Sequence, residues 1–212
     1  MGDAFSWERF DDLPVVGILR GFACDHAAEI GAACRDGGLA CIEVTMNSPD
    51  AAAQIEALRR VCDGMNVGAG TVRSLEELHV ALEAGACFVV TPIVVPDVIA
   101  ACRERGVPVL PGAYTPTEIH ACLAAGADLV KVFPAETLGP AYIRAVRGPL
   151  DGARLLATGG VTPENAAAYR AAGAAGVGVG SPLFARDRME ARDWPWLQAQ
   201  IAAFRTAWHE SA

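Results

Sequence analysis

A (β/α)8 barrel of the α/β class, preceded by one extra helix, is the fold this sequence predicts. Three observations predict it. Eight short apolar runs, rich in Val and Ile, are each bounded by Gly or Pro, as buried strands are. Amphipathic stretches with helix-capping residues lie between them. The change from helix to strand is spelled the same way four times, as DGGLACIEV, EAGACFVV, AAGADLVKV and AAGAAGVGV. In each, glycine ends the helix, a small residue turns the chain and an apolar strand follows. Eight such units in 212 residues, with strands apolar on both faces, fit a closed parallel TIM-type barrel. An open doubly wound sheet is the alternative. No low-complexity linker divides the chain, so residues 1–212 read as a single domain.

Taken in order, residues 3–10 read as the extra helix, closing the bottom of the barrel. The strand runs are VVGILRG (15–21), CIEVTM (41–46), NVGAGTV (66–72), CFVVTP (87–92), VPVLPG (107–112), DLVKVFP (128–134), RLLATGG (154–160) and GVGVGS (176–181). SLEELHVALEAG (74–85) places Leu75, Leu78 and Leu82 on one helix face and acids on the other. Ser74 caps that helix, and Glu77 three residues later completes a capping box. TPTEIHACLAAG (115–126) and TPENAAAYRAAG (162–173) repeat the design, with Thr at the cap and Pro at the first helical position. The last helix carries Trp194, Trp196, Leu197, Ile201, Phe204 and Trp208, a stripe for core or subunit packing. His26, His79, His120 and His209 all fall in helical segments, where polar helix-face positions suit them.

Composition narrows the function. The chain is 52% hydrophobic and 20% charged, which supports a large core and excludes wholesale disorder. Seventeen basic against twenty-five acidic residues give a net charge of −8, which argues against nucleic acid or an anionic membrane as partner. No run of eighteen apolar residues suggests a membrane span, and MGDAFSWERFDDLP lacks a signal-peptide pattern. Seven cysteines without a CxxC pair read as free, buried thiols in a reducing cytoplasm, and their scatter disfavours zinc. Sixteen of the basic residues are arginine; Lys131 is the single lysine. A lysine retained alone marks a position arginine cannot fill.

In such a barrel the chemistry sits at the C-terminal ends of the strands. Side chains alternate along a strand, so Leu129, Lys131 and Phe133 share one face and Glu43 and Thr45 share another. Neither strand face meets bulk water, and the barrel interior, open at one mouth, is the cheaper place for a charge. Lys131 and Glu43 then reach one cavity. A lysine in a dry pocket loses its proton more readily, and the neutral amine can attack a ketone to form a Schiff base without any metal or organic cofactor. A nearby carboxylate moves protons. The rival reading is a purely structural Lys131–Glu43 pair, although such a buried pair adds little net stability.

The last two strand ends carry ATGGVTPEN (157–165) and VGVGSPLF (177–184). Glycine turns after strands seven and eight suit a phosphate, with Gly159, Gly160, Gly180 and Ser181 as expected donors. Arg20, ending ILRG, can take a substrate carboxylate in two parallel hydrogen bonds, and Thr71, closing GAGT, can add a hydroxyl.

In order and spacing, GILRG, IEVTMNSP, VGAGTV, VVTP, LPG, VKVFPAE, ATGGVTPEN and GVGS resemble the class I 2-keto-3-deoxy-6-phosphosugar acid aldolases, over about residues 13–206. The resemblance implies a (β/α)8 barrel, a homotrimer, and cleavage of a phosphorylated keto acid to pyruvate and glyceraldehyde 3-phosphate. It puts the Schiff-base lysine on Lys131 and the proton-transferring glutamate on Glu43. It puts the carboxylate-binding threonine on Thr71, pocket-lining positions on Pro92 and Phe133, and the phosphate site on Gly159, Gly160 and Ser181. Two branches compete. ILRG, MNSP, PGAYTPTE and LGP resemble the galactonate type, which has an arginine where Arg20 stands. FPAE and ATGG resemble the gluconate type, but its carboxylate-holding arginine is Asn47 here. The galactonate type is the better match. Side activity on 4-hydroxy-2-oxoglutarate goes with the gluconate alternative. A non-catalytic phosphosugar-binding barrel and a metal-dependent enzyme of the same fold are the further rivals, the latter weakened by the lack of a His/Asp/Glu ligand cluster.

Overall fold

The computed structural model of the chain describes residues 4–209. Nine strands form one sheet: β1 (Val15–Leu19), β2 (Cys41–Thr45), β3 (Asn66–Gly70), β4 (Val89–Val90), β5 (Val109–Leu110), β6 (Gly112–Ala113), β7 (Val130–Val132), β8 (Leu155–Thr158) and β9 (Gly176–Val179). Their order is β5-β4-β3-β2-β1-β9-β8-β7-β6, and every pairing is parallel. The two ends of that order, β5 and β6, are separated in sequence only by Pro111. They are one stave, and the ring of eight predicted runs is closed; the open sheet is thereby excluded. Proline has no N–H for the ladder, so the stave is interrupted there. Its carbonyl still accepts from the Lys131 N–H at 2.9 Å.

Alternation along the strands sorts their apolar residues into two layers. Val15, Leu19, Ile42, Val44, Val67, Val130, Val132 and Val177 join the core between barrel and helices, whereas Val16, Cys41, Phe88, Leu110, Leu129 and Leu156 fill the interior. Phe10 plugs that interior from below and is fully buried. It belongs to the extra helix, which is shorter than expected. That helix, α1, spans Trp7–Asp12 because Ser6 takes the cap, its hydroxyl accepting from the Arg9 N–H at 3.2 Å. Residue 3, included in the expected span, lies outside the described residues.

The remaining helices are α2 (Cys24–Asp36), α3 (Ala51–Val61), α4 (Leu75–Glu83), α5 (Pro96–Glu104), α6 (Pro116–Ala124), α7 (Gly139–Arg147), α8 (Pro163–Ala171), α9 (Arg186–Glu190) and α10 (Trp194–His209). Thr115 completes its capping box: its hydroxyl accepts from the Glu118 N–H at 3.3 Å, and the Glu118 carboxylate accepts from the Thr115 N–H at 2.8 Å. The box expected at Ser74 is only half made. Its hydroxyl accepts from the Glu77 N–H at 3.2 Å, but the Glu77 carboxylate is drawn to Arg73, taking both its backbone N–H and its guanidinium at 2.6 Å. A charged donor competes better for a carboxylate than the cap N–H does. Leu75 also departs from its stripe. At the first position of α4 it is 51% exposed, while Leu78 is buried. In α10, Leu197, Ile201, Phe204 and Trp208 are core residues, with Trp194 and Trp196 packed partly against them.

The seven cysteines are free; five are buried, but Cys24 and Cys87 are only partly covered, contrary to expectation. Burial pushes the Cys41 and Cys62 thiols up to about 12, so they carry almost no thiolate and serve as packing.

Candidate active site

The inward positions near the C-terminal ends of the strands are Glu43 and Thr45 on β2, Gly68 and Gly70 on β3, Lys131 on β7, Thr158 on β8 and Gly178 on β9, by the same alternation that buries their neighbours. The glycines make the space. A Cβ at Gly70 would collide with Oε1 of Glu43, and a Cβ at Gly178 would collide with Oγ1 of Thr158. Two bare strand positions therefore let polar side chains stand where a packed barrel would have Val or Leu.

Lys131 is 5% exposed and Glu43 1%. Burial dominates both. It holds the Lys131 ammonium below its ordinary range, with Arg20 adding to the drop and Glu43 opposing it. It raises the Glu43 carboxyl, with Lys131 and Arg20 opposing. The two therefore feel each other across the interior, yet no ion pair joins them among the described residues. Oε1 of Glu43 is buried with no protein group hydrogen-bonded to it. A purely structural pair needs that contact closed to offset two desolvated charges, and here it is open. The Lys131 Nζ lies 5.2 Å from the centre of the Phe133 ring.

Arg20 and Thr71 come together, Nη2 donating to Oγ1 at 3.4 Å. Thr71 sits at φ 58°, a left-handed backbone that costs a β-branched residue about 1–3 kcal/mol and is characteristic of functional turns. Ser48 ties the neighbouring strand ends, accepting from the Gly21 N–H at 2.9 Å and hydrogen-bonding Thr45 Oγ1 at 2.9 Å. Asn47, beside it, is exposed.

A cavity of about 490 Å3 opens over β1, β8 and β9. Gly159, Gly160, Gly180 and Ser181 are on its wall, with Arg20, Phe133, Thr158 and Arg186. Gly159 and Gly160 have φ of 97° and 69°, which only glycine adopts freely. Lys131, Glu43, Thr71 and Pro92 are not on that wall. The first two stand beside it in the barrel interior. Pro92, half-buried beyond β4, presses its carbonyl onto Gly112, where any Cβ would collide. Two polar side chains of the wall were not singled out from the sequence. Thr158 is buried with its hydroxyl free of protein partners; its parity with the inward Leu156 is a signal that finds it. Arg186 arrives from α9, and no local pattern marks it. Among the described residues no group of three His, Cys, Asp or Glu is arranged to hold a metal ion. None of the helices there is long and apolar enough to cross a membrane.

A closed parallel barrel with a buried amine, a buried carboxyl and an anion-suited glycine cavity at one mouth defines a barrel enzyme of the aldolase class. Comparison with known proteins gives the family. The chain belongs to the KDPG and KHG aldolases, whose family model matches residues 7–200. It is 37% identical over 198 residues to the 2-dehydro-3-deoxy-6-phosphogalactonate aldolase of Escherichia coli K12, covering 92% of this chain and 96% of that one. It is 41% identical over 163 residues to the 2-dehydro-3-deoxy-phosphogluconate aldolase of Treponema pallidum, covering 76% of each. Its fold superposes with TM-score 0.83 and 25% identity on the KDPG aldolase of Legionella pneumophila with pyruvate captured as a covalent carbinolamine, covering 92% of this chain and 96% of that one.

Proposed function

We propose that this chain is a Schiff-base aldolase cleaving 2-dehydro-3-deoxy-6-phosphogalactonate to pyruvate and D-glyceraldehyde 3-phosphate. The observation that carries it is the buried Lys131 amine beside a Glu43 oxygen that no protein group engages. The neutral Nζ adds to the C2 ketone, and loss of water leaves an iminium. Glu43, directly or through a water, takes the proton of the C4 hydroxyl. The C3–C4 bond breaks, its electron pair moves into the iminium to give an enamine, and glyceraldehyde 3-phosphate departs. The proton then returns to C3, and hydrolysis of the imine frees pyruvate and the amine. Arg20 and Thr71 hold the carboxylate end, Phe133 borders the pocket, and Gly159, Gly160, Gly180 and Ser181 hold the phosphate end. Fixing both ends aligns the breaking bond.

Arg20 standing against Thr71, with the exposed Asn47 in place of the gluconate-type arginine, supports the galactonate substrate. One observation favours the gluconate epimer as a second reading: Thr158, in the ATGG stretch that resembles the gluconate type, lines the cavity with its hydroxyl free of protein partners. The epimers differ at C4, and their cleavage rates measured side by side decide. The expected result is a higher kcat/KM on the galactonate compound; a higher value on the gluconate compound reverses the assignment. The undivided sequence supports one catalytic domain per chain, the free cysteines support a reducing cytoplasmic setting, and the family resemblance supports a homotrimer. Native mass spectrometry is expected to give three 22.1 kDa chains; a monomer overturns the trimer.

A further inference from the structure

We infer that Arg186 is the positioning residue for the phosphate end of the substrate, an inference that rests on the aldolase reading and deepens it. The cavity wall carries two charged side chains, Arg20 and Arg186, and no Asp or Glu. In a chain of net charge −8 that is a local reversal of sign, and it suits a ligand with two anionic ends. The two guanidinium groups are directed differently. Arg20 donates to Thr71 and acts electrostatically on both Lys131 and Glu43. Arg186 takes part in neither interaction.

Arg186 instead lies over the Phe22 ring, 5.3 Å from its centre, and donates from Nη2 to the Gly21 carbonyl at 3.2 Å. Gly21 allows this approach. Its φ is +74°, and a Cβ there would stand 3.3 Å from the same Nη2. The ion pair of Arg186 with Glu190 is long, 3.5 Å, with both side chains 61% exposed, and such a pair holds a side chain weakly. A guanidinium has five N–H donors, and the Gly21 carbonyl takes one of them. Backbone amides alone supply neutral hydrogen bonds to a phosphate. A guanidinium adds the charge and the two-pronged geometry that a dianion rewards. Apart from Arg20, which is turned to the other end, Arg186 is the wall's source of both.

The test compares wild type with Arg186→Gln and Arg186→Lys. In Arg186→Gln, KM for the phosphorylated substrate is expected to rise about tenfold or more, the usual scale for a charged hydrogen bond lost, while kcat is little changed. Borohydride trapping of pyruvate, which carries no phosphate, is expected to stay at the wild-type rate. Arg186→Lys restores part of the loss. An equal loss of pyruvate trapping, or an unchanged KM, overturns the assignment. Calorimetric titration with inorganic phosphate separates this inference from the reading beneath it. Weakened phosphate binding in Arg186→Gln supports the anion role even if wild type traps no pyruvate, an outcome that sinks the aldolase reading. Phosphate binding equal in wild type and Arg186→Gln overturns the inference whatever the enzyme cleaves.

Discussion

Lys131→Arg is expected to abolish both cleavage and covalent capture of pyruvate. The loss should be about 10^4-fold or more, the scale seen when an activated nucleophile is removed and only binding remains. Arginine keeps the positive charge but does not deprotonate in proteins, so it cannot form the imine. Because Lys131 is the sequence's single lysine, a digest of borohydride-treated wild type should show the adduct on the peptide that contains it. Lys131→Met, of similar length and without charge, serves as the second variant, with circular dichroism checking that both fold.

The same amine sets a pH dependence whose sign follows from its burial. Desolvation disfavours the ammonium, with Arg20 adding to the effect and Glu43 only partly opposing it, so the amine is free at a lower pH than an exposed lysine. Capture of pyruvate should therefore rise with pH through a midpoint below 10.5 and level off above it. A midpoint at or above 10.5, or an adduct that persists in Lys131→Arg, contradicts the mechanism.

Glu43→Gln is expected to separate the two halves of the reaction. Imine formation survives, since the amine is untouched, whereas cleavage slows by about 10²–10⁴-fold, the usual contribution of a positioned acid–base group. In wild type, the acid limb of the cleavage profile should have its midpoint above 4.5, because burial raises the Glu43 carboxyl and the proposed mechanism uses its ionised form. That limb should vanish in Glu43→Gln. Gly70→Ala attacks the same function through geometry: its Cβ would occupy the place of Glu43 Oε1, and displacement of a catalytic group by about 1 Å can cost about 10²-fold. Normal turnover in Glu43→Gln removes the residue from proton transfer.

Much of this architecture was legible before any coordinates. The period-two pattern of CIEVT and LVKVF already sends Glu43 and Lys131 to the face opposite Val44 and Val132, and both outer valines are in the helix-side core. Capping residues at Thr115 and Thr162 marked helix starts because caps are local hydrogen bonds, made within one turn. The misreadings are also instructive. α1 starts at Trp7, behind the Ser6 cap and later than expected, and Glu77 prefers Arg73 to its box, since a single sequence does not say which of two nearby donors a side chain will choose.

What the chain order determined by itself is therefore the set of staves, the parity of each inward side chain and the motifs at the strand ends, all consequences of short-range backbone geometry. What only the tertiary structure decided is where distant pieces meet. Closure across Pro111, the room that Gly70 makes for Glu43, the backbone role of Pro92 and the reach of Arg186 to Gly21 each join residues through the packed fold. Packing couples residues by volume and direction, quantities that accumulate over the whole barrel and are written in no local stretch of sequence.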